Sequence, residues 1–242
     1  MFNAEDLKDV EEQQDRLGGS YTLESGVYDA TVKLAYIVGS QSSKSKCMVC
    51  VFDIDGFELT TREWFLTGAG APTYEKNNKK FMLPAYEKMN DLHLVTTGYD
   101  LTGSTVEDKT IKVWDADAGG EIDKNMPVVT SILNKRVSMA VLKVIENKQE
   151  KDESSGKYVP TEDKREVNEI SKFFHIETGK TVVELKNKVD LPPEDLFKAR
   201  WADKNTGKTQ DRYKEPNTTG PARSGTGSPA SNSKPSSTSL FG

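Results

Sequence analysis

The chain has 242 residues, 35% of them apolar, with a formal net charge of -5, an isoelectric point near 5.3 and a mean hydropathy of -0.65. Those values fit one domain of ordinary size with long polar segments, or two small ones, and we read one. They exclude a spanning helix, because no apolar run approaches the ~20 residues a bilayer requires, and they argue against coating of nucleic acid by bulk positive charge.

The negative charge is unevenly placed. Glu5, Asp6, Asp9, Glu11, Glu12 and Asp15 crowd the N-terminus, and Glu150, Asp152, Glu153, Glu162 and Asp163 share one later segment. Much of it thus falls outside the expected strands, which leaves room for a basic groove. Residues 4–16 read as a short acidic helix stopped by Gly18-Gly19. Met1 to Leu17 does not resemble a secretory signal, so an intracellular, soluble protein is expected. From Gly26 the period becomes two, with Tyr28, Ala30, Val32, Leu34 and Tyr36 alternating with polar residues. A polar loop over Gly39 to Lys46 precedes two more strands, Cys47 to Ile54 and Phe57 to Leu66, joined by the hairpin-favouring dipeptide Asp55-Gly56. Cys47 and Cys50 point to opposite faces of their strand and read as reduced core thiols.

Gly68 to Lys80 reads as a loop, and Leu83 to Leu94 as a helix opened by Pro84. A short strand over Lys109 to Trp114 and a few helical turns over Val128 to Leu133 follow. A second hairpin has arms Arg136 to Ile145 and Arg165 to Ile176, separated by a long charged loop of the kind that is usually functional or disordered. Thr181 to Leu185 reads as a last short strand. Pro193 opens a helix that places Phe197 and Trp201 on one face, with Gly207 as its stop. The expected class is mainly β (α+β), an oligonucleotide-binding (OB)-like barrel of five or six strands with short helices. A β-sandwich decorated with helices gives a similar order of elements. Residues 1–20 form an acidic arm, 21–214 the domain, and 215–242 a tail of Ser, Thr, Gly and Pro that ends in the apolar pair Leu240-Phe241. A tail of that composition stays disordered on its own, and its apolar tip is free to enter a partner's pocket.

Catalysis finds little support. His93 and His175 both sit in apolar settings, where packed structural histidines are the ordinary reading. One Cys-x-x-Cys with two scattered histidines lacks zinc-site spacing. Gly-Lys-Thr occurs at Gly179 and at Gly207, but a phosphate loop needs a glycine five residues earlier, where Phe174 and Ala202 stand. Asp53 with Asp55, and Asp115 with Asp117, could hold a divalent ion, although aspartates beside turns commonly serve the backbone. No enzyme activity, metal or cofactor is expected.

Binding chemistry survives this filter. Single-stranded nucleic acid is held by cations that follow the phosphates and by aromatic faces on which bases stack. Arg62 and Trp64 share a strand face; Tyr74, Lys76, Lys79, Lys80 and Phe81 cluster in one segment; Lys112 and Trp114 again share a face. Core packing is the competing reading for Trp64 and Trp114, and less so for Tyr74 in its polar surroundings.

Several segments carry a family resemblance: Phe2-Asn3-Ala4-Glu5-Asp6-Leu7, Glu12-Gln13-Gln14-Asp15-Arg16-Leu17-Gly18-Gly19, Asp91-Leu92-His93-Leu94-Val95-Thr96-Thr97-Gly98, and Arg165-Glu166-Val167-Asn168-Glu169-Ile170 leading to Phe174-His175. With the tail ending Ser239-Leu240-Phe241-Gly242, the chain resembles the single-stranded DNA-binding proteins of schitovirus-type podoviruses. The resemblance implies a bacteriophage protein of the host cytoplasm that coats single strands, without sequence preference, during viral replication and recombination. It implies phage replication proteins as partners, and for some relatives a phage or host RNA polymerase, so a transcription cofactor is the alternative. The tail departs from the acidic tails of many single-strand binders, since it carries Arg223 and Lys234 and only Glu215. The resemblance carries no base contacts onto this chain residue by residue, so the nine basic and aromatic positions rest on the pattern above.

Overall fold

The computed structural model describes residues 22–40, 42–115, 118–152, 154 and 156–215. The acidic arm at 4–16, its Gly18-Gly19 stop, Asp117 and the Leu240-Phe241 tip lie outside the described residues. The expected meander is present as β1 (Gly26–Gly39), β2 (Lys46–Ile54) and β3 (Phe57–Leu66), paired antiparallel. Asp55 and Gly56 both take positive φ, 49° and 88°, as a tight turn between right-twisted strands requires. Asp53 Oδ1 accepts the Gly56 N–H at 2.8 Å, so this aspartate serves the turn.

One detail of β1 corrects the sequence reading. The simple alternation puts Ala30, Val32, Leu34 and Tyr36 on one face, but a register shift between Val32 and Leu34 interrupts the ladder. An extra residue in a strand inverts every side chain beyond it. Ala30, Val32 and Ala35 therefore enter the main core, while Leu34, Tyr36 and Val38 join a second cluster on the opposite face with Cys47, Val49 and Val128. The same irregularity divides the labour of β1: Gly26 to Thr31 pair with the strand at Arg136 to Val141, and Thr31 to Gly39 pair with β2.

The remaining elements are β4 (Thr73–Lys76), β5 (Lys79–Met82), α1 (Pro84–Thr97), β6 (Val106–Asp115), β7 (Gly120–Val129), β8 (Arg136–Lys151), β9 (Tyr158–Phe174), α2 (Val182–Lys186), α3 (Phe197–Asn205) and β10 (Thr209–Asp211). Among the described residues the fold is mainly β, an eight-stranded sheet with a separate β4–β5 pair and three short helices. Hydrogen bonding runs β3-β2-β1-β8-β9; the short β10 lies parallel to β8, and β7 touches β1 at Val128 while carrying β6. No closed barrel forms among the described residues, because β3 and β9 are not paired with each other. Helix α1 packs against both strands across that gap. It is fastened to each by an ion pair, Lys88–Glu63 at 2.6 Å to β3 and Asp91–Lys172 at 2.5 Å to β9. Its inner face carries Met89, Leu92 and Val95 into a core built on Phe52, Phe65, Met139 and Phe173.

Other expectations are revised by the pairing. The presumed loop before α1 is a hairpin, β4–β5, turned by Asn77 and Asn78 with φ of 52° and 56°. The long charged loop is mostly ladder, since β8 and β9 remain paired out to Lys151 opposite Tyr158. The turns expected over Val128 to Leu133 are the end of β7 and a single 3-10 turn at Thr130–Ile132. Thr181 to Leu185 is helical: Thr181 caps α2 and forms a reciprocal capping box with Glu184. The helix expected from Pro193 begins at Phe197, after a 3-10 turn over Pro193–Asp195. His93 is buried, bonded to Tyr99 O at 2.8 Å and to Ser131 Oγ at 2.9 Å, and His175 contacts the Thr178 hydroxyl in a turn at 3.2 Å.

Candidate nucleic-acid interface

Alternation along β3 separates two jobs. Leu59 and Phe65 are buried in the core, and Glu63 turns inward to its ion pair with Lys88. Arg62 and Trp64, between and beside them, face out, with Trp64 51% exposed. Their cross-strand partners are Val49 and Cys47, so both stand over the second apolar cluster. Burial pushes the Tyr36 hydroxyl and the Cys47 thiol above their ordinary pKa values, and the nearby Arg62 guanidinium opposes that rise in both. Cys50, on the other face and fully buried, is pushed up further still. Both cysteines are free thiols, as expected.

Beside Trp64 lies an open cleft of about 360 Å³, lined by Ser40, Ser43, Ser45, Leu66, Thr67, Gly68 and Leu83. Its hydroxyl wall comes from the β1–β2 loop, which the sequence reading treated only as a polar connection. Its other wall is the turn after β3, closed by Thr67 N–H to Ala71 O at 2.9 Å and Leu83 N–H to Pro72 O at 2.8 Å. The two walls touch at Gly68, where an added Cβ would stand 2.1 Å from the Ser43 carbonyl oxygen. Gly68→Ala must therefore push the serine loop off the turn. The expected result is a changed environment for the Trp64 indole beside the cleft, read as a shifted Trp fluorescence spectrum, with little change in far-UV circular dichroism.

The second part of the candidate surface is the β4–β5 hairpin. In its register Tyr74 faces Phe81 and Lys76 faces Lys79, so these four side chains share one side of the ribbon. The rings are stacked at 5.7 Å with 28° between planes, and remain 40% and 43% exposed. Two lysines directly opposite each other repel, a local cost that an anion between them would remove. Lys80 lies on the reverse side, opposite Glu75. The sequence cluster thus resolves into four residues that share one face and one that does not.

The third part stands apart. On the β6–β7 ribbon, Ile111, Val113 and Met126 pack down on the cluster of Tyr36, Cys47 and Val49. Lys112 and Trp114 alternate with them and occupy the other side, opposite Asp123 and Glu121. Trp114 is 67% exposed. It shares a face with Lys112, as the spacing predicts, but that face looks away from the sheet bearing Arg62 and Trp64.

Among the described residues no group of three or more His, Cys, Asp or Glu side chains is arranged to hold a metal ion. Among the described residues no helix is long and apolar enough to cross a membrane. No family model matches the chain, no curated protein does, and no solved structure does.

Proposed function

We propose that the protein is a non-enzymatic single-stranded DNA-binding protein of the phage type its sequence resembles, and that the strand crosses the outer face of β3 and the β4–β5 hairpin. The observation that carries this reading is the hairpin face, on which the stacked and partly exposed rings of Tyr74 and Phe81 adjoin two opposed lysines. Rings free to accept bases, beside cations free to accept phosphates, are the two requirements for holding an unpaired strand without reading its sequence. Arg62 and Trp64 extend the same chemistry, and the serine-lined cleft beside Trp64 offers hydroxyl donors to phosphate or base edges. Lys80, Lys112 and Trp114 lie on other faces and are not part of the proposed track.

The strand order supports an OB-like reading. The path β3-β2-β1-β8-β9, with a helix entering between the third strand and the later hairpin, follows the order of an OB barrel, here bridged by α1 where a closed barrel would pair its ends. The second and third strands of that fold carry its oligonucleotide face, and Arg62 and Trp64 stand on the third.

Titration of a fluorescent oligothymidylate at several salt concentrations tests the proposal. Affinity should fall linearly on a log–log plot, and single strands should outcompete duplex. Lys76→Ala with Lys79→Ala should lower the magnitude of the slope by about 1.4, two phosphate contacts' worth on a single strand. Affinity independent of salt would remove the phosphate track from consideration.

A further inference from the structure

Strand β6 has ten residues and pairs with β7 along one edge; among the described residues no strand pairs with its other edge. An open edge presents a row of unpaired N–H and C=O groups and is a template for another strand. Charge on such an edge ordinarily blocks that pairing, so the decisive matter is how the charges are arranged.

A symmetric pair of identical antiparallel strands has its two-fold axis perpendicular to the sheet, and the axis keeps each face on its own side. Even-numbered residues of one copy can therefore meet only even-numbered residues of the other, which leaves registers centred on a single residue. Centring on Lys109 sets two like charges face to face, and centring on Ile111 sets Glu107 against Asp115. Centring on Thr110 does neither. It places Asp108 opposite Lys112 twice, Val106 opposite Trp114 twice, and Thr110 opposite itself. Opposite charges, aromatic with β-branched residues, and threonine pairs are the favourable cross-strand combinations.

The residues concerned are ready for such contacts. Val106 is 44% exposed and Trp114 67%. On the reverse side of the ribbon Lys109 is already paired with Glu107 at 3.1 Å, whereas Asp108 and Lys112 make no salt bridge among the described residues. Within its own ribbon Lys112 faces Asp123, so the second copy's Asp108 would complete a carboxylate pair around it.

We propose that β6 is a self-association edge: two copies of the chain join by antiparallel pairing of Val106–Asp115 about Thr110, giving one continuous four-stranded ribbon. A patch of this length is at the small end of protein interfaces, so the dimer is reversible and concentration-dependent. The contact closes at two copies and leaves the β3 face of each open.

Sedimentation equilibrium of the full chain without DNA tests it. The mass should rise from 26.9 kDa toward twice that value as concentration increases. Asp108→Lys and Lys112→Asp, each alone, should weaken association about tenfold by setting like charges opposite one another, and the double variant should restore it. Thr110→Cys should form a disulfide-linked dimer on mild oxidation, since the only native thiols, Cys47 and Cys50, are buried. Glu107→Cys should not, because its copies would lie about 20 Å apart in that register. A protein that stays monomeric throughout, with Thr110→Cys crosslinking no better than Glu107→Cys, overturns the proposal. So does a dimer indifferent to both charge swaps.

Discussion

Trp64→Ala should weaken binding of single-stranded DNA by about 1–3 kcal/mol, between roughly fivefold and over a hundredfold, because each base stacked on an aromatic side chain contributes that much. Tyr74→Ala with Phe81→Ala should cost at least as much. These rings are half exposed and belong to none of the buried clusters, so the thermal midpoint should hardly move. Trp64→Phe separates stacking from shape, since a smaller ring still offers a face and should retain most of the affinity. Fluorescence anisotropy at fixed salt measures the effect, and circular dichroism melting provides the control. Unchanged affinity in both variants, with folding intact, would mean that the strand runs elsewhere.

The largest effect on stability is expected at Glu184. The residue is only 7% exposed, and its carboxylate ties three donors together. Oε2 accepts from the Thr181 backbone N–H at 2.9 Å and its hydroxyl at 3.1 Å, and Oε1 accepts from the Phe197 N–H at 2.8 Å, so one side chain caps α2 and holds the start of α3. Glu184→Ala leaves those donors without their acceptor, and should cost about 2–4 kcal/mol. For a domain of this size that is a midpoint lower by roughly 5–15 °C. Burial by itself would raise the carboxyl's pKa, but the hydrogen bonds from Thr181 and Phe197 and the charge of Arg200 prevail and hold it below the ordinary value. A depressed folded-state pKa sets the sign. The stabilisation is complete above the unfolded chain's pKa and drains away as pH falls through the lower folded value. Wild type and Glu184→Ala should therefore differ most near neutrality and converge in acid, as denaturant melts at a series of pH values would record.

The meander was legible because its physics is local. Alternating residues and an Asp-Gly turn determine β2 and β3 almost without help from the rest of the chain. The bulge in β1 was harder, yet Leu34-Ala35-Tyr36-Ile37-Val38 is an unbroken apolar run, and such a run marks a strand buried on both faces. At α2 the β-branched pair Val182-Val183 suggested extension, whereas Thr181 and Glu184 already spelled a capping box, and the cap decided the outcome. The β4–β5 hairpin and the outer β8–β9 ribbon escaped notice for a shared reason. Both stand clear of the core, so neither face needs apolar residues and no period of two is written into them. Which strand faces lie open is a tertiary property, and spacing alone could join Lys112 to Trp114 without revealing that their side turns away from Trp64.

The seam between β3 and β9 leaves one side of the candidate surface without a backbone ladder. Main-chain ladders resist stretching; β3 is held by one to β2, but its other side, towards β9, is bridged through side chains of α1, with Glu63 gripping Lys88 directly behind the exposed Arg62 and Trp64. The spacing across that seam can change by a rotamer without breaking a β3–β9 backbone bond. For the single strand proposed as the ligand, a clasp with this much give would suit bases that differ in size from one step to the next.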